Sequence, residues 1–420
     1  MIYRMRINFC LTVSIALIAV SASAAGDQFS ALYTFTCNGS QFQRVGPCPQ
    51  GGRPDSLIQG TGGNFYGAAQ DSSEGTSAPN GGTVFSLTPG GTLKVLHTFV
   101  AGTNKKYPNG NLPGLITEGP DGKIYGETIY GGVDGCNGYC GYGVLYRVNT
   151  DGSGFQVLHK YCSEKNCADG EYGGELVVGT DGNLYGTTYY GGVNNAGTIF
   201  KVTPSSGAYK VVFNFDISSS GEGPSALVVA SDGTFYGLSV STTLGEMLFH
   251  YTEASGQLQA FPMKFPLFSG LPSSGFMLTL GPGGNFYGIY AIYGTSGAGL
   301  FEVAPDGTNL QLFPFYTTRN GAGAPQTMIL ASDGNLWLDN YNGIGGEGYG
   351  DIITLSPTDG SLIQVLSPFS ATAAVGAYPA ELFQAADGTF WGSTYQYGKA
   401  SKNHFADGTV FSLNAGLPPR

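Results

Sequence analysis

Short apolar runs separated by tight-turn residues fill most of the chain. In the most regular of them, two turn residues and two further positions lead to an aromatic residue that is usually followed by glycine. Seven copies are present: Gly62-Gly63-Asn64-Phe65-Tyr66-Gly67, Asp121-Gly122-Lys123-Ile124-Tyr125-Gly126, Asp181-Gly182-Asn183-Leu184-Tyr185-Gly186, Asp232-Gly233-Thr234-Phe235-Tyr236-Gly237, Gly283-Gly284-Asn285-Phe286-Tyr287-Gly288, Asp333-Gly334-Asn335-Leu336-Trp337-Leu338 and Asp387-Gly388-Thr389-Phe390-Trp391-Gly392. They recur at intervals of about 50 to 60 residues, which indicates a repeat architecture.

Each copy predicts four antiparallel strands. In the second copy the strands are predicted at residues 114–118, 123–129, 143–149 and 155–161. The hairpin turns fall at Asp-Gly pairs, where glycine takes a positive φ without a steric penalty. Four-stranded units with this period are typical of β-propellers. We therefore predict an all-β protein, a seven-bladed β-propeller of four-stranded antiparallel blades.

The two ends of the chain predict how the ring closes. The seventh copy stops after its third strand, residues 408–414, and has no fourth strand. A surplus strand at residues 29–35 precedes the first copy and resembles the fourth strand at residues 93–99. We predict that the N-terminal strand completes the last blade, because this pairing protects two sheet edges.

Composition agrees with this architecture. The chain has 420 residues with 69 Gly, 26 Tyr and 26 Phe, and only 11% are charged, against a usual share of about 25%. The aromatic residues are expected to fill the interfaces between blades. The glycine that follows six of the seven repeated aromatics lies inside a strand, where it should allow a neighbouring blade or aromatic to approach closely.

The N-terminus predicts export. Arg4 and Arg6 precede an apolar run at residues 9–20 and a stretch of small residues ending at Ala25. This is the pattern of a secretory signal peptide over residues 1–24, cleaved after Ala24 or Ala25. Residues 25–420 then form the single propeller domain. The apolar run is too short to span a membrane, so we expect a secreted or periplasmic protein without membrane insertion.

The predicted mature chain has six cysteines: Cys37, Cys48, Cys136, Cys140, Cys162 and Cys167. An even number in an exported protein favours disulfides. Proximity in sequence predicts the pairs Cys37–Cys48, Cys136–Cys140 and Cys162–Cys167, as clips on surface loops. The alternative is a metal site formed by the last four thiolates, which would lack a nearby histidine.

Net charge limits the partners. The formal charge of −11 disfavours nucleic acid and anionic membranes, which attract basic surfaces. We expect a monomer that binds an extracellular glycan or protein. No cofactor is expected, with one alternative: Asp134 and the Asp169-Gly170-Glu171 segment offer the oxygen ligands that Ca²⁺ takes.

The blade topology places all long loops on one face, called here the long-loop face. The 1–2 and 3–4 turns lie at the opposite end and are short, whereas the longest connections span residues 36–55, 70–81, 102–113, 131–141 and 162–173. Binding sites concentrate on such loops. Strand two often finishes near glycine with a tyrosine: Tyr130, Tyr190, Tyr293, Tyr341 and Tyr397. We predict a partial tyrosine ring that stacks on and hydrogen-bonds sugars, with inter-blade packing as the alternative.

The inventory of catalytic residues is small. His97 and His159 occupy the same place in strand four of consecutive copies, and His250 falls in a predicted third strand, which favours structural roles. His404 is predicted in a 2–3 loop near Asp407 and is a general-base or binding candidate. The sequence has neither a G-x-S-x-G nor an H-E-x-x-H motif, so we assign no catalytic residue.

The third copy carries a family resemblance. Asp181-Gly182-Asn183-Leu184-Tyr185-Gly186-Thr187-Thr188, Gly191-Gly192 and Gly197-Thr198-Ile199-Phe200-Lys201-Val202 resemble the GloVer tandem repeat of exported bacterial choice-of-anchor proteins. The resemblance covers nearly the whole mature chain, although the fourth and sixth copies are degenerate. It implies an exported β-propeller and supplies no activity.

Three functions are consistent with these observations. The leading hypothesis is a binding module for glycans or surface proteins that acts through the long-loop face. The first alternative is an extracellular hydrolase or lyase acting on a polysaccharide or cyclic ester at the channel mouth, since propellers host such enzymes. The second alternative is a structural envelope component. His, Arg and carboxylate side chains converging on the mouth would favour the enzyme.

Overall fold

The computed structural model describes residues 28–38, 48–70, 80–100, 107–133, 141–225, 227–265, 269–270, 277–292, 298–315, 325–341, 343, 348–399 and 404–420. The predicted signal peptide, the Cys136–Cys140 pair, Asp134 and Tyr293 lie outside these residues.

The strands form seven antiparallel sheets, here blades 1 to 7. The first strand, β1 (Phe29–Asn38), belongs to blade 7. Blade 1 consists of β2 (Pro54–Gln59), β3 (Phe65–Ala69), β4 (Asn80–Leu87) and β5 (Leu93–Val100). Blade 2 consists of β6 (Asn111–Glu118), β7 (Lys123–Tyr130), β8 (Val144–Asn149) and β9 (Gln156–Lys160). Blade 3 consists of β10 (Glu171–Gly173), β11 (Val177–Val178), β12 (Leu184–Tyr190), β13 (Thr198–Thr203) and β14 (Ala208–Asn214). Blades 4 and 5 consist of β15 (Val228–Val229), β16 (Phe235–Ser241), β17 (Gly245–Thr252) and β18 (Gln257–Pro262); and β19 (Ser269–Gly270), β20 (Leu278–Leu280), β21 (Phe286–Ile292), β22 (Ala298–Val303) and β23 (Gln311–Phe315). Blades 6 and 7 consist of β24 (Met328–Leu330), β25 (Leu336–Asn340), β26 (Asp351–Leu355) and β27 (Leu362–Leu366); and β28 (Ala377–Gln384), β29 (Phe390–Gln396), β30 (His404–Leu413) and β1.

This architecture confirms the predicted seven-bladed propeller. Helical structure in the described ranges is confined to two 3₁₀ turns, Lys165–Cys167 and Pro282–Gly284. No helix in these ranges has the length and hydropathy needed to cross a membrane. The first strand of blades 3 and 5 is broken into two short pieces that pair with the same second strand.

The ring closes as predicted. β1 pairs antiparallel with β30, from Phe29 opposite Leu413 to Asn38 opposite His404. β1 therefore runs three residues beyond the predicted end at residue 35. The closing interface resembles the others, since Trp391 of blade 7 lies 4.4 Å from Phe65 of blade 1, measured between ring centroids.

Seven hydrophobic clusters fill the seven interfaces between neighbouring blades. Each repeated aromatic reaches forward to the next blade. Tyr185 lies 4.4 Å from Phe235, and Tyr236 lies 4.4 Å from Phe286, between ring centroids. The expected role of the aromatic residues in the blade interfaces is confirmed.

The Asp-Gly turns also fix the repeated aromatic. Asp181 accepts a hydrogen bond from the Asn183 backbone N–H at 3.0 Å, and its other oxygen accepts one from the Tyr185 hydroxyl at 2.9 Å. The Trp337 indole donates to Asp333 in the same way at 3.2 Å. One carboxylate therefore stabilises both the turn and the aromatic residue four positions later.

The glycine after the aromatic makes room for a ring on strand three of its own blade. Gly237 lies opposite Phe249, and a Cβ placed on it would be 2.5 Å from Phe249 Cζ. The six glycines all face an aromatic residue in this way: Gly67, Gly126, Gly186, Gly237, Gly288 and Gly392. In blade 6 Leu338 replaces the glycine, and its partner is Ile353. The predicted close approach is confirmed, and the approaching ring comes from the same blade.

Two of the three predicted disulfides lie within the described residues, and both are formed: Cys37–Cys48 and Cys162–Cys167. Cys162–Cys167 closes a loop beside blade 3, as expected. The expectation of a surface clip is wrong for Cys37–Cys48, whose two cysteines are fully buried. The reason is the added length of β1, which carries Cys37 into blade 7 opposite Phe405.

Candidate functional site

The entrance to the channel repeats an unusual backbone conformation. Arg53, Leu112, Tyr172 and Tyr378 stand at the same place at or just before the first strand of blades 1, 2, 3 and 7, with φ of 55°, 54°, 54° and 63°. A left-handed conformation costs a non-glycine residue about 1–2 kcal/mol. Such strain concentrates at functional sites, where it orients side chains. A functional site is therefore expected at the mouth of the channel on the long-loop face.

Five tyrosines form a cluster at the mouth between blades 6 and 7, called here cluster A: Tyr341, Tyr349, Tyr378, Tyr395 and Tyr397. Tyr341 stacks on Tyr378 with 4.8 Å between ring centroids, and Tyr397 lies 6.3 Å from Tyr378. Cluster A brings together Tyr341 and Tyr397, which were predicted from the sequence.

Arg53 extends cluster A into blade 1. Its guanidinium carbon lies 5.3 Å from the centre of the Tyr395 ring, and its Nε is 4.0 Å from the buried Asp407 carboxylate. Gln70 donates a hydrogen bond to Asp55 at 3.0 Å. Burial raises the pKa of Asp55 to about 6. The mouth thus combines stacked phenols with one cation and one carboxyl group that titrates near neutral pH.

A second group of tyrosines, cluster B, lies at blades 2 and 3: Tyr130, Tyr142, Tyr172, Tyr189 and Tyr190. Tyr189 and Tyr190 meet edge to face with 4.6 Å between ring centroids. Both are strongly exposed, with 44% and 43% of their surface accessible. Burial and the nearby Glu171 carboxylate raise the pKa of Tyr172. The predicted partial ring is thus resolved into two clusters from different blades, and the predicted Tyr293 lies outside the described residues.

First strands from all seven blades enclose a central channel with a cavity of about 750 Å³. Each blade contributes apolar wall: Leu57, Leu115, Val177, Val228, Leu278, Ile329 and Leu382. Glu175 and Glu381 are the carboxylates of this wall. Both residues are half-buried and line the cavity. Burial raises the pKa of Glu175 to about 7, and burial with the charges of Glu175, Asp339 and Asp55 raises that of Glu381 well above its ordinary value.

These two glutamates occupy the same position of the repeat. Tyr172-x-x-Glu175-Leu176 in blade 3 matches Tyr378-x-x-Glu381-Leu382 in blade 7. The leucines pack in the interfaces between blades, and the tyrosines belong to clusters B and A. The motif was not predicted from the sequence, because that prediction was based on the residues at the end of strand two. The Tyr-x-x-Glu-Leu motif lies in strand one and occurs in only two of the seven copies.

Glu127 and Asp339 also occupy the same position of the repeat. Glu127 follows the strand-two glycine of blade 2, and Asp339 follows Leu338, which replaces that glycine in blade 6. Both are buried, and burial raises the pKa of Glu127 well above its ordinary value and that of Asp339 to about 7. Glu127 lies between blades 2 and 3 beside the Tyr161 hydroxyl. Asp339 lies behind the channel wall, where it accepts backbone hydrogen bonds from Gln326 and Thr327.

The histidines follow the repeat. His97 stacks on Phe155 at 3.4 Å and His159 stacks on Tyr209 at 3.7 Å, each against the next blade. His250 lies in the third strand of blade 4. The predicted loop position of His404 is wrong, because β30 begins at this residue and pairs with the extended β1. Its suggested binding role stays a prediction.

The predicted calcium ligands are only partly described. The Asp169 carboxylate accepts hydrogen bonds from Ser163 and Glu164 and pairs with His159 Nε2 at 2.9 Å. In the described ranges, groups of three metal-ligating side chains occur only around the two disulfides, at Asp407 and at Glu171. The alternative of a four-thiolate metal site loses two of its ligands, since Cys162 and Cys167 are oxidised to a disulfide.

Comparison with known proteins places the chain among repeat proteins. Residues 53–265 match the Gloeobacter/Verrucomicrobia repeat. The chain belongs to this repeat family. Membership confirms the resemblance seen in the third copy, and it names no activity. The sequence matches no functionally curated protein.

Solved structures show the same fold at low identity. The YCF48 protein of Cyanidioschyzon merolae is 11% identical with a TM-score of 0.51, over 87% of this chain and 97% of that one. A fungal alcohol oxidase is 12% identical with a TM-score of 0.50, over 87% of this chain and 76% of its own. A puromycin hydrolase is 13% identical with a TM-score of 0.54, over 86% of this chain and only 53% of its own. At such identities the likeness concerns the fold alone.

Proposed function

We propose that this protein is an exported binding module that holds carbohydrate on its long-loop face through the two tyrosine clusters. The observation that carries the proposal is the exposed pair Tyr189 and Tyr190, of which Tyr190 lies opposite Glu171 in the sheet. In the part of the chain that the structure describes, these two are the only aromatics among the strongly exposed large hydrophobic residues. The repeated aromatics are buried in the blade interfaces, so two adjacent rings left in solvent mark a candidate interaction surface.

The chemistry of cluster B suits a sugar. Aromatic rings offer an apolar face with a polar edge, which matches the C–H face and the hydroxyl rim of a pyranose. The tyrosine hydroxyls and the Glu171 carboxylate can bind sugar hydroxyls, as the few polar groups of a ligand site usually do. Cluster A offers the same rings with Arg53 added.

Export is supported by the disulfides. Cys37–Cys48 and Cys162–Cys167 would persist in an oxidising compartment and not in the cytosol. The proposed ligand is therefore an extracellular or periplasmic glycan.

A glycan array probed with the mature chain tests the proposal, followed by titration of the best ligand. Tyr190→Ala should weaken binding about tenfold, because it removes an exposed aromatic contact. Tyr190→Phe should retain most of the affinity if stacking dominates. Ile363→Ala is the matched control, since Ile363 is also strongly exposed but lies on the outer strand of blade 6.

Two results would contradict the proposal. One is an array without any ligand above background. The other is a ligand whose affinity is unchanged in Tyr190→Ala and in Tyr378→Ala, one variant for each cluster. Binding of a surface protein that no sugar displaces would indicate protein recognition in place of carbohydrate binding.

A hydrolase or lyase for polysaccharide or cyclic ester is the second candidate, and the channel carboxylates favour it. Carboxyl groups with raised pKa values can act as general acids near neutral pH, and Glu175 and Glu381 line the cavity. Turnover of a panel of polysaccharides and lactones, abolished in Glu381→Gln, would support this activity. Release of no product from any member of the panel would exclude those substrates.

A further inference from the structure

The channel wall carries two carboxylates among mostly apolar residues, and the exposed Arg420 is the one cation among the residues that line the cavity. One level of the wall has Leu115, Glu175, Met277, Thr327 and Glu381 at equivalent positions of five blades. The glutamates come from blades 3 and 7, which lie across the ring from each other, and Leu115 and Met277 stand between them. A ligand that matches this ring needs positive charge at two separated points and apolar surface in between.

Neither glutamate is neutralised by the protein. Among the described side chains, none forms an ion pair or a hydrogen bond with Glu175 or Glu381, although charges in this protein do pair elsewhere, as Lys201 does with Asp181. Placing a carboxylate against an apolar wall without a partner is costly. Both carboxyl groups therefore hold their protons more tightly than exposed ones do, and a cation bound in the channel would supply the partner that stabilises their ionised form.

Asp339 adds a second, independent observation. Its side chain has no exposed surface. One oxygen accepts hydrogen bonds from the backbone N–H groups of Gln326 and Thr327 at 2.8 and 2.6 Å, whereas Oδ2 has no partner. Gln326 and Thr327 line the cavity, and the Asp339 charge acts on Glu381. A buried carboxylate with a free oxygen thus lies directly behind the charged part of the wall.

The number of ligating groups distinguishes an organic cation from a metal ion. A metal ion of the Ca²⁺ type gathers six to eight oxygen ligands at 2.3–2.6 Å. The groups of three acidic or other ligating side chains that lie close together in the described ranges are both at the disulfides and not in the channel. Glu175 and Glu381 are separated by apolar residues, which suits ammonium groups joined by methylene units.

We propose that the central channel binds a linear alkyl polyammonium ion, with its ammonium groups paired to Glu175 and Glu381 and its methylene chain against Leu115 and Met277. The cavity of about 750 Å³ lies within the range of about 300–1,000 Å³ usual for small-molecule sites. Asp339 and Asp55 strengthen the field behind Glu381. This site is independent of the carbohydrate clusters, so either proposal can fail without the other.

Calorimetric titration of the mature chain with spermidine at pH 8 and low salt tests the site. We expect saturable binding that weakens at least tenfold in Glu175→Gln and in Glu381→Gln. Glu253→Gln is the matched control, because it removes the same charge from a surface residue that pairs with Lys201 and should leave the affinity unchanged. Thermal unfolding of the unliganded variants checks that they are folded.

Further titrations separate the proposal from its rivals. Octane-1,8-diol, an uncharged chain, should not bind. Equal affinity for the diol would show an apolar pocket without charge recognition and would overturn the proposal. Binding of Ca²⁺ with no binding of spermidine would overturn it in favour of a metal site. Equal weakening by the Glu253 control would show nonspecific attraction to the acidic protein.

The pH dependence gives a last readout. The channel carboxyl groups must lose protons to pair with ammonium, so spermidine affinity should rise several-fold between pH 5.5 and pH 8. The rise should be smaller in Glu381→Gln. Affinity that is flat over this range in the wild-type chain would contradict pairing with these glutamates.

Discussion

Replacing Gly237 by alanine tests the packing rule that the repeats obey. Gly237 faces Phe249 across strands two and three of blade 4, and the three nearest atoms to an added Cβ all belong to that ring, at 2.5, 2.9 and 3.2 Å. Ordinary contact begins at 3.4 Å, so the ring must move by about 1 Å. Phe249 is fully buried and packs on Phe215 with 5.1 Å between ring centroids, which leaves little room for that movement.

The expected cost follows from these distances. Overpacking a well-filled core costs about 1–3 kcal/mol. Alanine recovers about 0.4–1 kcal/mol by restricting the unfolded chain. Gly237→Ala should therefore lower the free energy of unfolding by about 1–2 kcal/mol. Combined with Phe249→Leu, which removes the obstructing ring edge, the two changes should cost less than the sum of the single variants, as blade 6 already shows by pairing Leu338 with Ile353.

Urea unfolding followed by far-ultraviolet circular dichroism measures the effect in the wild-type chain, both single variants and the double variant. Gly62→Ala is the control, because no atom lies within 4 Å of its added Cβ and its φ is not positive; it should change stability by less than about 0.5 kcal/mol. Wild-type stability of Gly237→Ala would refute the reasoning. So would strict additivity in the double variant, since contacting residues that share a constraint should couple.

Three further predictions concern the ring and its buried carboxyl group. The pKa of Asp339 is raised to about 7, so Asp339 holds its proton more tightly in the folded than in the unfolded chain, and stability should fall as pH rises from about 4 through 7. Asp339→Asn should flatten this pH dependence and should be more stable than the wild type at pH 8, as measured by urea midpoints. An unchanged slope of stability against pH would contradict the assignment. Deleting residues 28–38 removes the strand that pairs with β30, so the truncated chain should aggregate in size-exclusion chromatography through the exposed edge, and a stable monomer would count against closure. Replacing Cys37 and Cys48 together by alanine removes a disulfide with a sequence separation of 11, and this should lower the free energy of unfolding by about 2–4 kcal/mol. A decrease no larger than that caused by a surface substitution would show that the disulfide adds no stability.

The features that could be predicted from the sequence are those repeated in every blade. The seven turns, the strand-two aromatic and the glycine behind it each reflect a local requirement, and a local requirement recurs at a fixed spacing. The missing fourth strand of the last copy and the surplus strand at the N-terminus could also be predicted, because the repeat defines which strands a complete blade contains. The burial of Cys37 and the strand position of His404 were not, since both depend on how far β1 continues along β30.

The candidate site was less predictable because it is assembled from positions that differ between blades. Tyr341 and Tyr397 were found from their place after strand two, but their partners Tyr349, Tyr378 and Tyr395 come from other segments. No spacing rule connects residues that meet only when neighbouring blades pack against each other. The tyrosines of cluster B meet in the same way, across the boundary between blades 2 and 3.

The geometry of strand one explains how such variety arises without damage to the fold. Strands two and three carry the core of each blade, and strand one contributes mainly its leucine, such as Leu176 or Leu382, to the interfaces. The residue before that leucine faces the channel, and the residue four positions before it stands at the mouth. Substitution at these two positions leaves the interfaces filled. Two blades out of seven can therefore acquire Tyr-x-x-Glu-Leu at no cost to the core, and the channel gains a charged pair that the other five blades lack.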